Sequence, residues 1–165
     1  APDWEILACI LRRLQQGVEL HMEADPLLCY IAVPVFAVLR GQAMITGFNT
    51  GEGFPFQCLD TLCSTLLTLP ALENITFQHI AGQGTEEGQS LESMVRLLQS
   101  PALRKVRFEC VSFSDSLCRA IAKALKERSD IIGLYFPCCS FPVGGSCRDC
   151  ECTRDKYNIE VPQFL

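Results

Sequence analysis

The sequence predicts an α/β protein in which helix–strand units stack side by side and share one parallel sheet. The first observation is an apolar spacing of three, two, three and two residues, which fits neither a plain strand alternation nor one helix face. It occurs at Leu103, Val106, Phe108, Val111 and Phe113. The second observation is its recurrence, at Leu72, Ile75, Phe77 and Ile80 and at Ile131, Leu134, Phe136, Cys139 and Phe141. Because the first positions are 31 and 28 residues apart, we interpret the pattern as a stacked repeat.

The N-terminal region carries the same order of elements in a weaker form. Residues 3–16 predict a helix, with Trp4, Leu7, Ile10, Leu11 and Leu14 on one side. A short strand is predicted over residues 18–22, and a second strand over residues 43–46 follows a long apolar stretch. Helix–strand, helix–strand is the order expected of degenerate repeats or of a capping unit, because terminal repeats are commonly atypical.

A helical segment precedes each of the three clear strands. Apolar residues at helical spacing occupy residues 57–69, 89–100 and 115–127. Each segment places a leucine six residues before the first strand position, at Leu66, Leu97 and Leu125. The third segment opens with a Ser-Asp-Ser cluster at residues 114–116, which is suited to capping a helix. One such unit cannot bury its own apolar face, so neighbouring units are expected to stack on it.

The three units resemble the leucine-rich repeat, in the longer class typified by ribonuclease inhibitor. Their spacing is similar to the pattern L-x-x-L-x-L-x-x-(N/C)-x-L, and residues 117–141 match best, with Cys139 at the Asn/Cys position. The resemblance covers residues 54–141. It departs from the family at Phe77, Phe108 and Phe136, where Leu is usual, and at Ile80 and Val111, which replace Asn or Cys. The resemblance implies a solenoid with its parallel sheet on the concave face and its helices on the convex face.

We predict one leucine-rich-repeat domain over residues 1–165. Residues 1–50 form degenerate repeats or an N-terminal cap, residues 51–141 the three clear repeats, and residues 142–165 a cysteine-rich C-terminal cap or tail. Since residue 1 is Ala and no signal peptide follows, we expect the chain to start after processing or to be a fragment.

Composition excludes two classes of partner. The formal net charge is −5, whereas a nucleic-acid groove requires a basic surface. The longest apolar run, residues 27–39, is interrupted by Pro34, and it is shorter than the roughly 20 residues that span a bilayer. We therefore expect neither nucleic-acid binding nor a transmembrane segment.

Eleven cysteines bear on the compartment and on metal binding. Six of them lie on or near apolar faces and are expected to be small buried residues, namely Cys9, Cys29, Cys58, Cys63, Cys118 and Cys139. A core that does not depend on disulfides favours the cytoplasm or another reducing compartment.

The C-terminal cysteines suggest a zinc site as one alternative. Cys147 and Cys150 have the C-x-x-C spacing of a zinc half-site, which Cys152 or the Cys138–Cys139 pair could complete. Disulfides or free thiols in a terminal cap explain the same residues. A second arrangement places His79, Cys110 and Cys138 side by side, each at the eighth position of consecutive units, where they could hold a soft metal ion with a ligand from the tail. The alternative is a simple polar row at the strand ends.

We predict a non-enzymatic protein–protein interaction scaffold, because no catalytic constellation is found and the two histidines lie in different repeats. The predicted register puts alternate strand residues in three rows across one sheet face: Asn74, Lys105 and Gly133; Thr76, Arg107 and Tyr135; and Gln78, Glu109 and Pro137. Lys105, Arg107, Glu109, Tyr135, Thr76 and Gln78 are the candidate partner-binding residues. Arg107 and Tyr135 are the expected anchors, because Arg and Tyr dominate binding hot spots. The alternatives are an ordinary solvated face, a structural subunit of a large assembly, or a small zinc-binding or thiol protein.

Overall fold

The computed structural model describes residues 3–22, 28–80, 91–128, 130 and 133–141, and in these ranges helices and strands alternate. The elements in chain order are α1 (Asp3–Leu11), β1 (Val18–His21), α2 (Leu28–Leu39), β2 (Ile45–Asn49), a 3-10 turn (Phe56–Cys58), α3 (Leu59–Leu66), β3 (Asn74–Gln78), α4 (Glu92–Leu98), β4 (Lys105–Glu109), α5 (Asp115–Lys126) and β5 (Gly133–Tyr135). The predicted α/β class is confirmed.

All five strands in the described part of the chain belong to one parallel sheet, whose order β1-β2-β3-β4-β5 follows the chain. Each helix also contacts the helix that follows it in the chain. Right-handed crossovers that always add a strand at the same edge put their helices on one side of the sheet. The result is a layer of helices packed on one face of a sheet.

The predicted strand register is confirmed for the first two rows and for Gln78 beside Glu109, whereas Pro137, predicted in the third row, lies outside β5 and is buried. Asn74 pairs with Lys105 and Thr76 pairs with Arg107 across β3 and β4. Lys105 in turn pairs with Gly133, and Arg107 with Tyr135. The 31-residue and 28-residue spacings of the sequence therefore bring equivalent positions of neighbouring units side by side in the sheet.

Alternate strand residues face the helices and form the core. In β3 and β4 the buried positions are Ile75, Phe77, Val106 and Phe108, whereas their neighbours in each strand remain partly or fully exposed. The helices supply leucines to the same apolar cluster, among them Leu62, Leu66, Leu97 and Leu98. This period of two is what a half-buried strand requires.

Two helix starts show how the units are joined. Ser114 caps α5 as predicted, because its Oγ accepts the Leu117 N–H at 3.2 Å. The α4 helix is capped by a residue of the preceding unit: Asp60 Oδ1 accepts the N–H of Ser93 at 2.8 Å. A carboxylate at a helix N-terminus satisfies unpaired donors and complements the helix dipole.

The predicted first helix is wrong at its C-terminal end, since α1 ends at Leu11 rather than at residue 16. The Arg13 N–H donates to Ile10 O at 3.0 Å and the Leu14 N–H to Leu11 O at 3.4 Å. These bonds span three residues, as in a 3-10 turn, so the α-helical pattern is lost. Ile10, which was expected on the apolar side, is 54% exposed.

The second predicted strand is also displaced, because β2 covers Ile45–Asn49 instead of residues 43–46. Gly41 has a φ of 70°, and the Gln42 N–H donates to Leu39 O at 3.3 Å. The chain therefore turns through residues 40–44 after α2, and the strand begins two residues later than predicted.

No helix in the described ranges has the length and apolar character that crossing a membrane requires.

Candidate functional site

The sheet face that points away from the helices is the candidate site, and we call it the open face. Its side chains alternate along each strand with those of the core. It consists of Glu19, His21, Gly47, Asn49, Asn74, Thr76, Gln78, Lys105, Arg107, Glu109, Gly133 and Tyr135. All six predicted partner-binding residues lie on this one face.

Lys105 and Tyr135 interact directly on the open face. The Lys105 Nζ lies 5.0 Å from the centroid of the Tyr135 ring, within the range of a cation–π contact. Gly133 makes this arrangement possible, because a Cβ built there would lie 2.5 Å from Tyr135 Cε2. The tyrosine ring thus lies over the glycine and beside the lysine of the neighbouring strand.

Arg107 and Glu109 form an ion pair within β4. Arg107 Nε donates to Glu109 Oε2 at 3.1 Å, and each side chain is 28% exposed. The two residues are two positions apart and therefore share one face of the strand. The pair orients the guanidinium, although half-exposed pairs contribute at most about 1 kcal/mol to stability.

The open face extends beyond the predicted residues onto β1 and β2. Gly47 pairs with Asn74, and Glu19 pairs with Gly47, so the first predicted row continues across the whole sheet. The sequence interpretation missed Glu19, His21 and Asn49 because it treated residues 1–50 as degenerate. Extending the row from Asn74 back through β2 would have found them.

The three eighth-position residues share an unusual backbone conformation. His79, Cys110 and Cys138 have φ values of 43°, 51° and 56°, and in the described part of the chain they are the non-glycine residues with positive φ. Their backbones continue the sheet, since the His79 N–H donates to Glu109 O at 2.9 Å and the Cys110 N–H to Pro137 O at 3.0 Å. The chain thus turns at the equivalent position after β3, β4 and β5.

Metal binding stays a prediction. Within the described ranges, no group of three or more His, Cys, Asp or Glu side chains has an arrangement that could hold a metal ion. Cys147, Cys150 and Cys152 lie outside those ranges, and only Cys138 and Cys139 of the predicted zinc ligands are described.

The cysteines on the helices and strand ends differ in burial. Cys63 and Cys139 are buried as predicted. Burial raises the pKa of the Cys63 thiol well above its ordinary value, and it raises the pKa of Cys139 to about 12. Cys139 also donates its S–H to Phe108 O at 3.1 Å, which ties the turn after β5 to the neighbouring strand. The expectation that Cys9 is buried is wrong, because it lies on the exposed side of α1.

No protein-family model matches the sequence, and no curated protein matches it significantly. The leucine-rich-repeat resemblance therefore stays a prediction. Function has to be inferred from the chemistry of the open face and from the way its side chains are held.

Proposed function

We propose that this protein is a non-enzymatic interaction module of the leucine-rich-repeat type, which binds a partner protein with its open face. On this proposal the sheet is the concave side of a short solenoid and the helices are its convex side. The observation that carries it is the pre-arranged group Lys105, Arg107 and Tyr135, held by a cation–π contact and an ion pair.

Pre-arrangement matters because binding immobilises side chains. Ordering a long side chain at an interface costs about 0.5–1.5 kcal/mol. Arg107 is already oriented by Glu109, and Tyr135 is already placed over Gly133. Both therefore lose less freedom on binding than an unsupported Arg or Tyr would, and both are residue types enriched at hot spots.

The size of the open face limits the affinity it can provide. Five strands about 4.8 Å apart and about five residues long cover roughly 300 Å² of flat area. A standard interface buries about 800 Å² on each partner. A partner that contacts only the strands therefore forms a small interface of the kind found in weak, transient complexes, and a standard interface requires contacts with the segments that flank the strands.

The test replaces the two expected anchors together. Arg107→Ala with Tyr135→Ala should weaken partner binding about 100-fold, since hot-spot residues cost about 2 kcal/mol or more each and their effects are not additive. Partners are captured from the source cells with wild-type protein, identified by mass spectrometry, purified and titrated by calorimetry. Circular dichroism confirms that the double variant is folded.

Arg96→Ala is the matched control, because Arg96 is an equally long cation on the helix side, where its side chain is 67% exposed. Loss of binding in the double variant with binding retained by Arg96→Ala supports the open face. Equal binding by all three proteins overturns the proposal.

A further inference from the structure

A hollow lies on the open face outside the predicted anchor residues. It has a volume of about 270 Å³ and spans β1, β2 and β3. Its polar lining is Glu19, His21, Asn49, Asn74 and Thr76. Drug-sized ligands occupy pockets of about 300–1,000 Å³, so this smaller hollow suits a single side chain.

Gly47 gives the Glu19 side chain room over β2, because it has no side chain of its own in the middle of the row. A Cβ built at Gly47 would lie 2.6 Å from Glu19 Cγ and 3.0 Å from Glu19 Oε1. The glutamate side chain therefore leans across β2 in the space that a larger residue would fill. The Glu19 carboxylate therefore lies over the sheet, on the side of β1 that faces Asn74 and Thr76 of β3.

The lining supplies hydrogen-bond acceptors around one negative charge. Among the described residues, nothing forms an ion pair or a hydrogen bond with the Glu19 carboxylate. The amides of Asn49 and Asn74 and the hydroxyl of Thr76 add carbonyl and hydroxyl oxygens. Asn49 Oδ1 already accepts the Gly51 N–H at 2.9 Å, which orients that amide.

The other charges of the open face leave this carboxylate uncompensated. Arg107 is engaged by Glu109 at 3.1 Å, and Lys105 lies against Tyr135 on the far side of the face. Glu19 and Lys105 are separated by β2 and β3, so they are about 14 Å apart across three strand spacings. At that separation salt screens most of their attraction. The face is therefore negative at β1 and positive at β4.

We propose that the hollow receives the guanidinium of an arginine side chain of the partner protein. This assignment rests on the proposed function, which supplies the partner. A guanidinium carries five donors in one plane and pairs with carboxylates in a forked geometry. It is also more weakly hydrated than the ammonium of lysine, so it loses less on entering a hollow lined by one carboxylate and several neutral acceptors.

The probe is N-acetyl-arginine amide, titrated into the isotope-labelled full chain and followed by the backbone amide resonances. We expect the amides of Gly47, Asn49 and Thr76 to shift together, with a dissociation constant in the millimolar range. N-acetyl-citrulline amide has the same shape without the charge and should leave these resonances in place. N-acetyl-lysine amide should bind at least about threefold more weakly, because it lacks the planar fork.

Glu19→Gln keeps the size of the side chain and removes its charge. It should weaken binding of the arginine probe about tenfold, whereas Arg96→Ala on the helix side, where that side chain is 67% exposed, should leave binding unchanged. The assignment is overturned if no resonance shifts at probe concentrations up to about 50 mM, which lies above the expected millimolar dissociation constant. Equal binding by the citrulline probe or by the Glu19→Gln protein overturns it as well.

This experiment separates the two proposals. Shifts from the arginine probe support the assignment of the hollow, whatever the double variant does. If the double variant of Arg107 and Tyr135 still binds its partner, only the proposed anchors are overturned. Absent shifts together with partner loss in the double variant overturn the hollow and leave the open face as the binding surface.

Discussion

The rings of Phe77 and Phe108 stack in the core, with their centroids 5.1 Å apart and their planes inclined by 19°. Phe136 continues the stack on the other side of Phe108, at 5.6 Å and 8°. At the opposite end, β2 is followed by Thr50, a fully buried threonine whose Oγ1 accepts the Gln78 N–H at 2.9 Å. The stack thus has one ring per clear repeat and ends where a hydroxyl replaces the ring.

Truncating the middle ring should destabilise the protein strongly. Phe108→Ala removes two stacked contacts and leaves a cavity, so the free energy of unfolding should fall by about 3–5 kcal/mol. Urea denaturation followed by circular dichroism measures the change. Phe141→Ala is the control, because Phe141 is 40% exposed and should cost clearly less. Equal losses in the two variants would contradict the role of the stack.

Arg128 should be a second stability determinant, because it joins two repeats through the backbone. Its side chain is 4% exposed, and its guanidinium donates to Leu98 O at 2.8 Å and to Leu103 O. Arg128→Met keeps an apolar stem but leaves both carbonyls without this partner. The free energy of unfolding should therefore fall by about 1.5–3 kcal/mol. Lys126→Met, at an exposed position two residues earlier, should change the urea midpoint little. A midpoint in Arg128→Met as high as in wild type argues against this role.

The ion pair between Arg128 and Asp130 should make the stability of the protein vary with pH in the acid range. Arg128 Nε donates to Asp130 Oδ1 at 2.5 Å, and this hydrogen bond lowers the pKa of Asp130 below its ordinary value of 3.8. A carboxyl with a lowered folded-state pKa stabilises the protein above its unfolded pKa, and this contribution is lost as pH falls through the folded value. The stability difference between wild type and Asp130→Asn should therefore shrink below about pH 3.8. Thermal melts at several pH values test this, and a difference that grows towards acid pH would refute it.

Replacing His79 with glycine should stabilise the protein. It is exposed and has a φ of 43°, a left-handed conformation that costs a non-glycine residue about 1–2 kcal/mol. Glycine removes this strain but loses about 0.4–1 kcal/mol through the greater freedom of the unfolded chain. The net gain for His79→Gly is expected to be about 0.5–1 kcal/mol, measured by urea denaturation. His79→Ala keeps the strain and should show no gain; a gain equal to that of glycine would point to a cause other than φ.

Cysteine labelling should follow burial. The thiolate is the reactive form, and burial raises the pKa of Cys139 to about 12 and that of Cys63 well above its ordinary value. Iodoacetamide at about pH 8 should therefore modify the exposed Cys9 in the native protein and leave Cys63 and Cys139 unmodified until urea is added. Peptide mapping by mass spectrometry identifies the sites. Native labelling of Cys63 at the rate of Cys9 would show that the core around α3 opens readily.

The register of the three clear repeats could be predicted from the sequence, because local spacing and the repeat length are enough to specify it. Phe77, Phe108 and Phe136 occupy the same position of each unit, and parallel pairing then places them next to one another. The placement of Arg107 beside Thr76 and Tyr135 follows from the same rule. The N-terminal elements could be predicted only approximately, because the apolar spacing there is compatible with several element boundaries.

Spacing within the units and between them thus determined the α/β class, the order of elements, the buried positions of β3 and β4, and the open-face residues of β3, β4 and β5. Only the tertiary structure decided which groups meet across units: Asp60 capping a helix that begins more than 30 residues later, Arg128 reaching Leu98 and Leu103, and Glu19 leaning over Gly47. The physical reason is that periodicity depends on the backbone geometry of a single segment. A contact between units depends instead on how far and in which direction each side chain extends, and neighbouring packing sets both.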